Sequence, residues 1–396
     1  MFEKLETLPP DPILGLSAAF REDPSTDKVD LSVGVYKDRS GTTPVLAAVR
    51  EAEAAVLASQ STKVYLPPAG VPGFREGIFS LVLGEQAASL RHRSTIIQAP
   101  GGCGALRLGA ELVQRAVPAA TVYLSDPTWP NHAPLLTGGG LRIERHPYYD
   151  ASGHGLRLQP MLDALSAAAP GAMVLLQASC HNPTGVDPDR QQWSAILDVM
   201  AERRLVPFFD IAYQGLGDDL DTDAWSIREA ARRLPEMLIA VSCSKNFGLY
   251  RERIGALVFI GADAAQARAV ESQANKAARS MYSMPPGHGG LIVDRILADA
   301  DLRARWQAEV AAMAERLRRL RRALADGIAT ARPGLDAGWL TRQRGMFSLL
   351  GLPPAAVTTL REEHHVYMGF DSRVNIAGLS EDNVARVASL VAPHLG

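Results

Sequence analysis

Ser242-Cys243-Ser244-Lys245-Asn246-Phe247-Gly248 follows an apolar run, Leu238 to Val241. A lysine amine at the end of a strand can form an imine with a carbonyl; a lone lysine there is otherwise a solvated surface charge. Asp210, in Phe208-Phe209-Asp210-Ile211-Ala212-Tyr213, also ends an apolar run. Its carboxylate is therefore expected in a partly buried place, where it needs a cationic partner. A protonated ring nitrogen is one such partner, and Tyr213 would then reach an oxygen on the same ring. A helix cap after the strand is the competing reading of Asp210. His181-Asn182-Pro183-Thr184-Gly185 reads as a turn, and the Asn182 amide could donate to that ring oxygen. Gly101-Gly102-Cys103-Gly104 precedes a helix expected to begin near Ala105. Free N–H groups at a helix start attract an anion such as phosphate, although the same glycines could be only a flexible entry. Trp129, in Asp126-Pro127-Thr128-Trp129-Pro130-Asn131-His132, could stack on a flat ring or simply fill the core. Arg253 and Arg373 flank strand-like segments and suit bidentate capture of phosphate or carboxylate; either could also be a plain surface charge.

Alternating elements are needed to hold these groups. Val122 to Leu124, Met173 to Leu176, Val206 to Phe209, Leu238 to Val241 and Ala256 to Ile260 read as buried strands. Ala105 to Ala116 and Gln191 to Arg203 read as helices between strands. Such alternation implies an α/β sheet covered on both faces, with active groups at the carboxyl ends of its strands. Leu302, Trp306, Val310, Met313, Leu317, Leu320 and Leu324 recur at steps of three and four, one face of a long helix. Gly345 to Ser348 and Val374 to Ile376 are short strand candidates in a tail read as a second, smaller lobe.

The 396 residues carry a formal net charge of −2. That balance gives no footprint for nucleic acid or an anionic membrane. Cys103, Cys180 and Cys243 are too scattered for a disulfide framework or a zinc site, so no metal is expected. The start, Met1-Phe2-Glu3-Lys4, lacks a signal-peptide pattern, and no apolar run reaches membrane-spanning length. The cytoplasm is the expected compartment.

The joint order of the motifs is more specific than any one of them: glycine turn, aromatic, Asn-Pro-Thr-Gly, Asp-x-x-Tyr, Ser-x-Ser-Lys, Arg-x-Arg. In that order the chain resembles the class I aminotransferases that use pyridoxal 5'-phosphate, in the aspartate and aromatic-amino-acid subgroup. The resemblance runs from Asp11-Pro12-Ile13-Leu14-Gly15-Leu16 to Arg373-Val374-Asn375-Ile376-Ala377-Gly378-Leu379. Its most specific stretch is Ser244 to Arg253. It implies an α/β chain of fold type I: a large domain (44–312) with a mostly parallel seven-stranded sheet covered by helices, and a smaller α+β domain (1–43 and 313–396). It implies that Lys245 is the Schiff-base lysine and proton shuttle, that Asp210 pairs with the pyridine nitrogen, and that Tyr213 and Asn182 bond the ring oxygen. Trp129 resembles the stacking ring. Ser242, Ser244, Arg253, Gly102 and Cys103 resemble the phosphate cup. Tyr65 matches a tyrosine reaching the phosphate of a neighbouring subunit, which implies a homodimer with shared active sites. Arg373 matches the grip on the substrate α-carboxylate. Arg279 matches an arginine lent by the other subunit to a side-chain carboxylate, and Gly34 a glycine lining the substrate pocket. Trp129 and Asn182 would also touch substrate.

The implied activity is ping-pong transfer of an amino group from an amino-acid donor to a 2-oxo acid. Cys103 stands where aspartate-type members usually have threonine, and Met284 and Val64 where they or several bacterial members have asparagine. Gln177 stands where histidine is frequent, and Phe370-Asp371-Ser372 before Arg373 is less usual. This loss of polarity favours aromatic donors with 2-oxoglutarate. Val35, Lys37 and Thr43 match the aspartate type and keep aspartate as the alternative. Arg279 together with Arg373 argues against a β-lyase or decarboxylase. A cofactor-binding regulator would need a DNA-binding module, for which no residues are left over.

Overall fold

The computed structural model describes residues 1–7 and 12–396; Asp11, where the resemblance begins, lies outside them. Clustering of contacts divides the chain into two units, Pro44–Arg316 with Gln343–Gly345, and Met1–Thr43 with Leu317–Arg342 and Met346–Gly396.

The larger unit is built on seven strands: β1 (Ser94–Pro100), β2 (Thr121–Asp126), β3 (Arg142–Pro147), β4 (Met173–Gln177), β5 (Val206–Ile211), β6 (Met237–Ser242) and β7 (Ile254–Ile260). Their order across the sheet is β1-β7-β6-β5-β4-β2-β3. β7 is antiparallel to both neighbours, and the other pairings are parallel. β4, β6 and β7 are buried along their whole length, as continuous apolar strands under helices must be. The strand stretches read from apolar runs appear within two residues of their bounds. β1 and β3 were not expected: β1 carries Ser94, Thr95 and Gln98, and β3 carries four charged or histidine side chains, so neither shows a clean run.

Because β7 runs opposite to its neighbours, its beginning lies at the edge where the parallel strands end. Ile254 is in register with Pro100, and Gly255 with Ser242. Residues that close β1, β2, β4, β5 and β6 and those that open β7 therefore share one edge of the sheet. The helix α1 (Gly101–Ala116) starts four residues earlier than the sequence pattern implies. Pro100 ends the strand and Gly101, at φ +70°, reverses the chain, so the glycines form the first helical turn instead of leading into it. The helix α2 (Arg190–Arg203) carries a capping box from Asp189 and Gln192.

In the smaller unit, Phe347–Leu349 pairs antiparallel with Arg373–Asn375, and Val29–Asp30 pairs parallel with Val366–Tyr367. A helix from Ala300 to Ala331, whose residues up to Arg316 belong to the larger unit and from Leu317 to the smaller, buries the expected stripe, Leu302 to Leu324, at 5% exposure or less. Gly327 allows the helix Val384–Val391 close, since a Cβ there would lie 2.7 Å from that of Ala388.

Candidate active site

Asp210 lies inside β5, so it caps no helix. Its Oδ2 is 3.0 Å from Nε2 of His132, a fully buried ring. Nδ1 of that ring is 2.8 Å from the Thr128 hydroxyl. With Nε2–H donating to the carboxylate, Nδ1 accepts from Thr128. One face of Asp210 is thus held by a donor whose own orientation is set by a second hydrogen bond. The sequence pattern did not single out His132, although it closes the Trp-Pro-Asn-His run beside Trp129. Trp129 packs edge-on against the His132 ring, centroids 5.2 Å apart at 88°.

Lys245 comes three residues after the end of β6. Its amine has no hydrogen bond or ion pair among the described residues. It stands 5.0 Å from the centroid of the Tyr213 ring. Burial pushes the Lys245 ammonium below its usual range, and Arg253 pushes the same way; Asp210 and Cys103 oppose them. A desolvated amine of this kind is nearer its nucleophilic, neutral form.

At the start of α1 no side chain caps the helix, which leaves the N–H groups of its first turn open to an anion. A Cβ on Gly101 would lie 2.5 Å from Nη2 of Arg253, and one on Gly102 would lie 3.2 Å from Cβ of Ser242. Gly101 is favoured by its φ of +70°, and a Cβ on Gly102 would require Ser242 to give by a few tenths of an ångström. Arg253 adopts φ +54° and donates to the Tyr250 carbonyl at 3.0 Å. Ser242 and Ser244 are each 5% exposed, and the Ser244 N–H meets the Ser242 hydroxyl at 3.3 Å. The Cys103 thiol accepts a long contact from Asn131 Nδ2 at 3.7 Å. Asn182 is buried in the loop after β4, and Gln177 holds its backbone.

Lys245, Asp210, Tyr213, Asn182, Trp129, Ser242, Ser244, Arg253, Gly102 and Cys103 all belong to the larger unit. Gly34 and Arg373 belong to the smaller one and are packed on the same ring. Arg373 stands 4.6 Å from the Phe347 centroid and donates to the Ser32 carbonyl, and a Cβ on Gly34 would lie 2.9 Å from Phe347 Cζ. Tyr65 is 84% exposed, and Arg279 lies exposed in the last turn of a helix, Ala264–Tyr282. Neither joins the other site residues. The three positions that lost polarity are not together either. Val64 and Met284 line one cavity of 560 Å³, where Met284 Sδ accepts the Leu66 N–H at 3.1 Å, while Cys103 sits at the start of α1.

A desolvated lysine, a braced carboxylate and an uncapped helix start at one edge of a mostly parallel seven-stranded sheet define the fold type I transferases. The sequence matches the family described as aminotransferase class I and II over residues 26–391, and the chain belongs to that family. It is 43% identical to an aromatic-amino-acid aminotransferase of Pseudomonas aeruginosa, across 99% of this chain and 98% of the relative. It is 40% identical to an aspartate aminotransferase of Salmonella typhi, across the full length of both. The solved structure of an aromatic-amino-acid aminotransferase from Burkholderia pseudomallei, covalently bound to pyridoxal phosphate, superimposes with a TM-score of 0.97 at 41% identity over the whole of both chains. No helix among the described residues is long and apolar enough to cross a membrane.

Proposed function

We propose that this chain is a pyridoxal-phosphate aminotransferase that moves the amino group of phenylalanine, tyrosine or tryptophan to 2-oxoglutarate. The observation that carries the reading is the Lys245 amine, buried over the Tyr213 ring and without a hydrogen bond or ion pair among the described residues, at the same sheet edge as the Asp210–His132 pair. These residues fit the cofactor. The uncapped turn at Gly101 to Gly104, with Arg253, Ser242 and Ser244, suits a phosphate. Asp210, already braced on one oxygen, suits a protonated ring nitrogen. When bound, the cofactor supplies an aldehyde that takes up the amino group and a ring that accepts electrons.

The chain's own groups do the rest. Lys245 would hold the cofactor through its amine and, as a neutral amine, would serve as the base that moves the substrate Cα proton. Asp210 keeps the ring nitrogen protonated, and His132 keeps Asp210 aimed. Asn182 and Tyr213 donate to the ring oxygen. Trp129 covers the ring face. Arg373 takes the substrate α-carboxylate, beside a pocket wall at Gly34. Arg279 takes a second carboxylate and Tyr65 the phosphate, each from a neighbouring copy, so the proposed enzyme is a homodimer; its proposed compartment is the cytoplasm. The exposure of Tyr65 and Arg279 in the single chain supports that assembly.

The aromatic reading is supported by the Pseudomonas relative's name and by the apolar residues at Val64 and Met284. Aspartate is the second reading, favoured by the Salmonella relative and by Lys37, which makes a 3.1 Å ion pair with Asp30. A panel of amino donors against 2-oxoglutarate tests both. Transfer from no donor, with no visible absorbance from added cofactor, would exclude the enzyme class.

A further inference from the structure

We infer that Gln177 is a positioning residue that aims Asn182 at the cofactor's ring oxygen; this rests on the role proposed above for Asn182. Gln177 is the last residue of β4, in register with Asp210 on β5. The next backbone N–H, of Ala178, donates to the Asp210 carbonyl at 3.0 Å. The strand pairing thus fixes where the Gln177 side chain begins. From there its carboxamide closes on Asn182. Its oxygen accepts the Asn182 N–H at 2.8 Å, and its nitrogen donates to the Asn182 carbonyl at 2.9 Å. Gln177 is 8% exposed and Asn182 5%, so water competes little for either bond.

Other ties hold the flanking residues of the loop. Asp187 accepts the N–H groups of Cys180 and His181 at 2.7 and 2.9 Å, and the Gly185 N–H reaches the His181 carbonyl at 2.7 Å. The Gln177 pair grips both polar backbone atoms of Asn182 itself. Two contacts on one residue restrain the rotation of its backbone as well as its position, and so set the Cα–Cβ direction from which its side-chain amide extends. Histidine, frequent here in the enzymes this chain resembles, has two ring nitrogens directed away from each other. It cannot serve the N–H and C=O of one residue together. The clamp is therefore a property of this chain's glutamine.

A donor aimed at the ring oxygen stabilises its deprotonated form and lowers the pH at which the anchored cofactor loses the proton shared with the Lys245 nitrogen. The experiment is a pH titration of visible absorbance in the holoenzyme without substrate, for wild type, Gln177→Ala, Asn182→Ala and the double variant. Gln177→Met, which keeps the volume and removes both hydrogen bonds, is run beside them in case the alanine variant fails to fold. The expected result is a midpoint raised by about half a unit or more in Gln177→Ala and Gln177→Met. It is raised further in Asn182→Ala, and the double variant matches Asn182→Ala alone. An unmoved midpoint in both Gln177 variants beside a moved one in Asn182→Ala would overturn the inference. Full additivity in the double variant would overturn it too, since Gln177 would then act by another route. If Asn182→Ala leaves the midpoint in place, the role of Asn182 falls and the inference with it.

Discussion

Asp210 and Tyr65 are both proposed to hold cofactor, Asp210 in its own subunit and Tyr65 in a neighbour's, and the chain treats them in opposite ways. Asp210 is 7% exposed, lies inside a central strand and is bonded to a buried histidine that is itself bonded to Thr128. Asn182 is held just as firmly, by Gln177. Tyr65 is 84% exposed, outside helices and strands, and the Arg279 side chain is exposed without a hydrogen bond or ion pair among the described residues. The difference separates groups that a single chain preorganises from groups that, in the proposed dimer, acquire their partners only on assembly. Preorganised groups need no reorganisation during the reaction. Groups at a subunit boundary can instead govern which substrates complete the site.

The sharpest break would come at the preorganised end. Lys245→Ala is expected to abolish transamination, because that loop holds no other amine; steady-state turnover with any active donor checks it. Substantial turnover would remove Lys245 from the chemistry. Next, Asp210→Ala and Asp210→Asn should lose more than ~3 kcal/mol of transition-state stabilisation, roughly 150-fold in kcat, while circular dichroism shows an intact fold. A kcat within tenfold of wild type would mean that the braced carboxylate does not serve the ring nitrogen.

The two carboxylate-binding arginines should differ in selectivity. Arg373→Ala should impair every donor, since all share the α-carboxylate. Arg279→Ala should weaken glutamate, 2-oxoglutarate and aspartate by ~1.5–3 kcal/mol per lost charge-assisted hydrogen bond, and phenylalanine much less. Single-turnover half-reactions with phenylalanine and glutamate separate these cases, and equal damage to both would deny Arg279 its role. The smallest effect concerns donor preference. kcat/KM for phenylalanine, tyrosine or tryptophan should equal or exceed that for aspartate. The margin rests on about one or two kcal/mol, a factor of roughly five to thirty. Aspartate ahead of all three by more than tenfold would make the apolar residues at Val64 and Met284 a matter of packing.

Much of the site could be read along the chain because its parts are local. Lys245 follows an apolar run directly, Asp210 sits in one, and Gly101 to Gly104 open a helix; each signal lies within a few residues of the group that uses it. The α/β alternation was legible for the same reason, since buried parallel strands are short apolar runs. The edge strand β3, with Arg142, Glu144, Arg145 and His146, was not, because an exposed edge tolerates charge.

What tertiary structure alone decided depends on which strands lie side by side. His132 meets Asp210 across 78 positions of sequence, and no local pattern marks a histidine as that carboxylate's partner. The antiparallel setting of β7 brings Arg253 to the edge where Pro100 and Ser242 end their strands and Gly101 opens α1, though nothing in Ile254 to Ile260 specifies its direction. Gln177 and Asn182 are only five residues apart, yet the clamp needs the chain to turn back on itself in a loop that Asp187 and Gly185 hold closed. The sequence by itself determined which residue types stand at strand ends, because burial and turn formation act over a few residues. Strand order and loop closure determined which of them touch, because those contacts exist only once distant segments have packed.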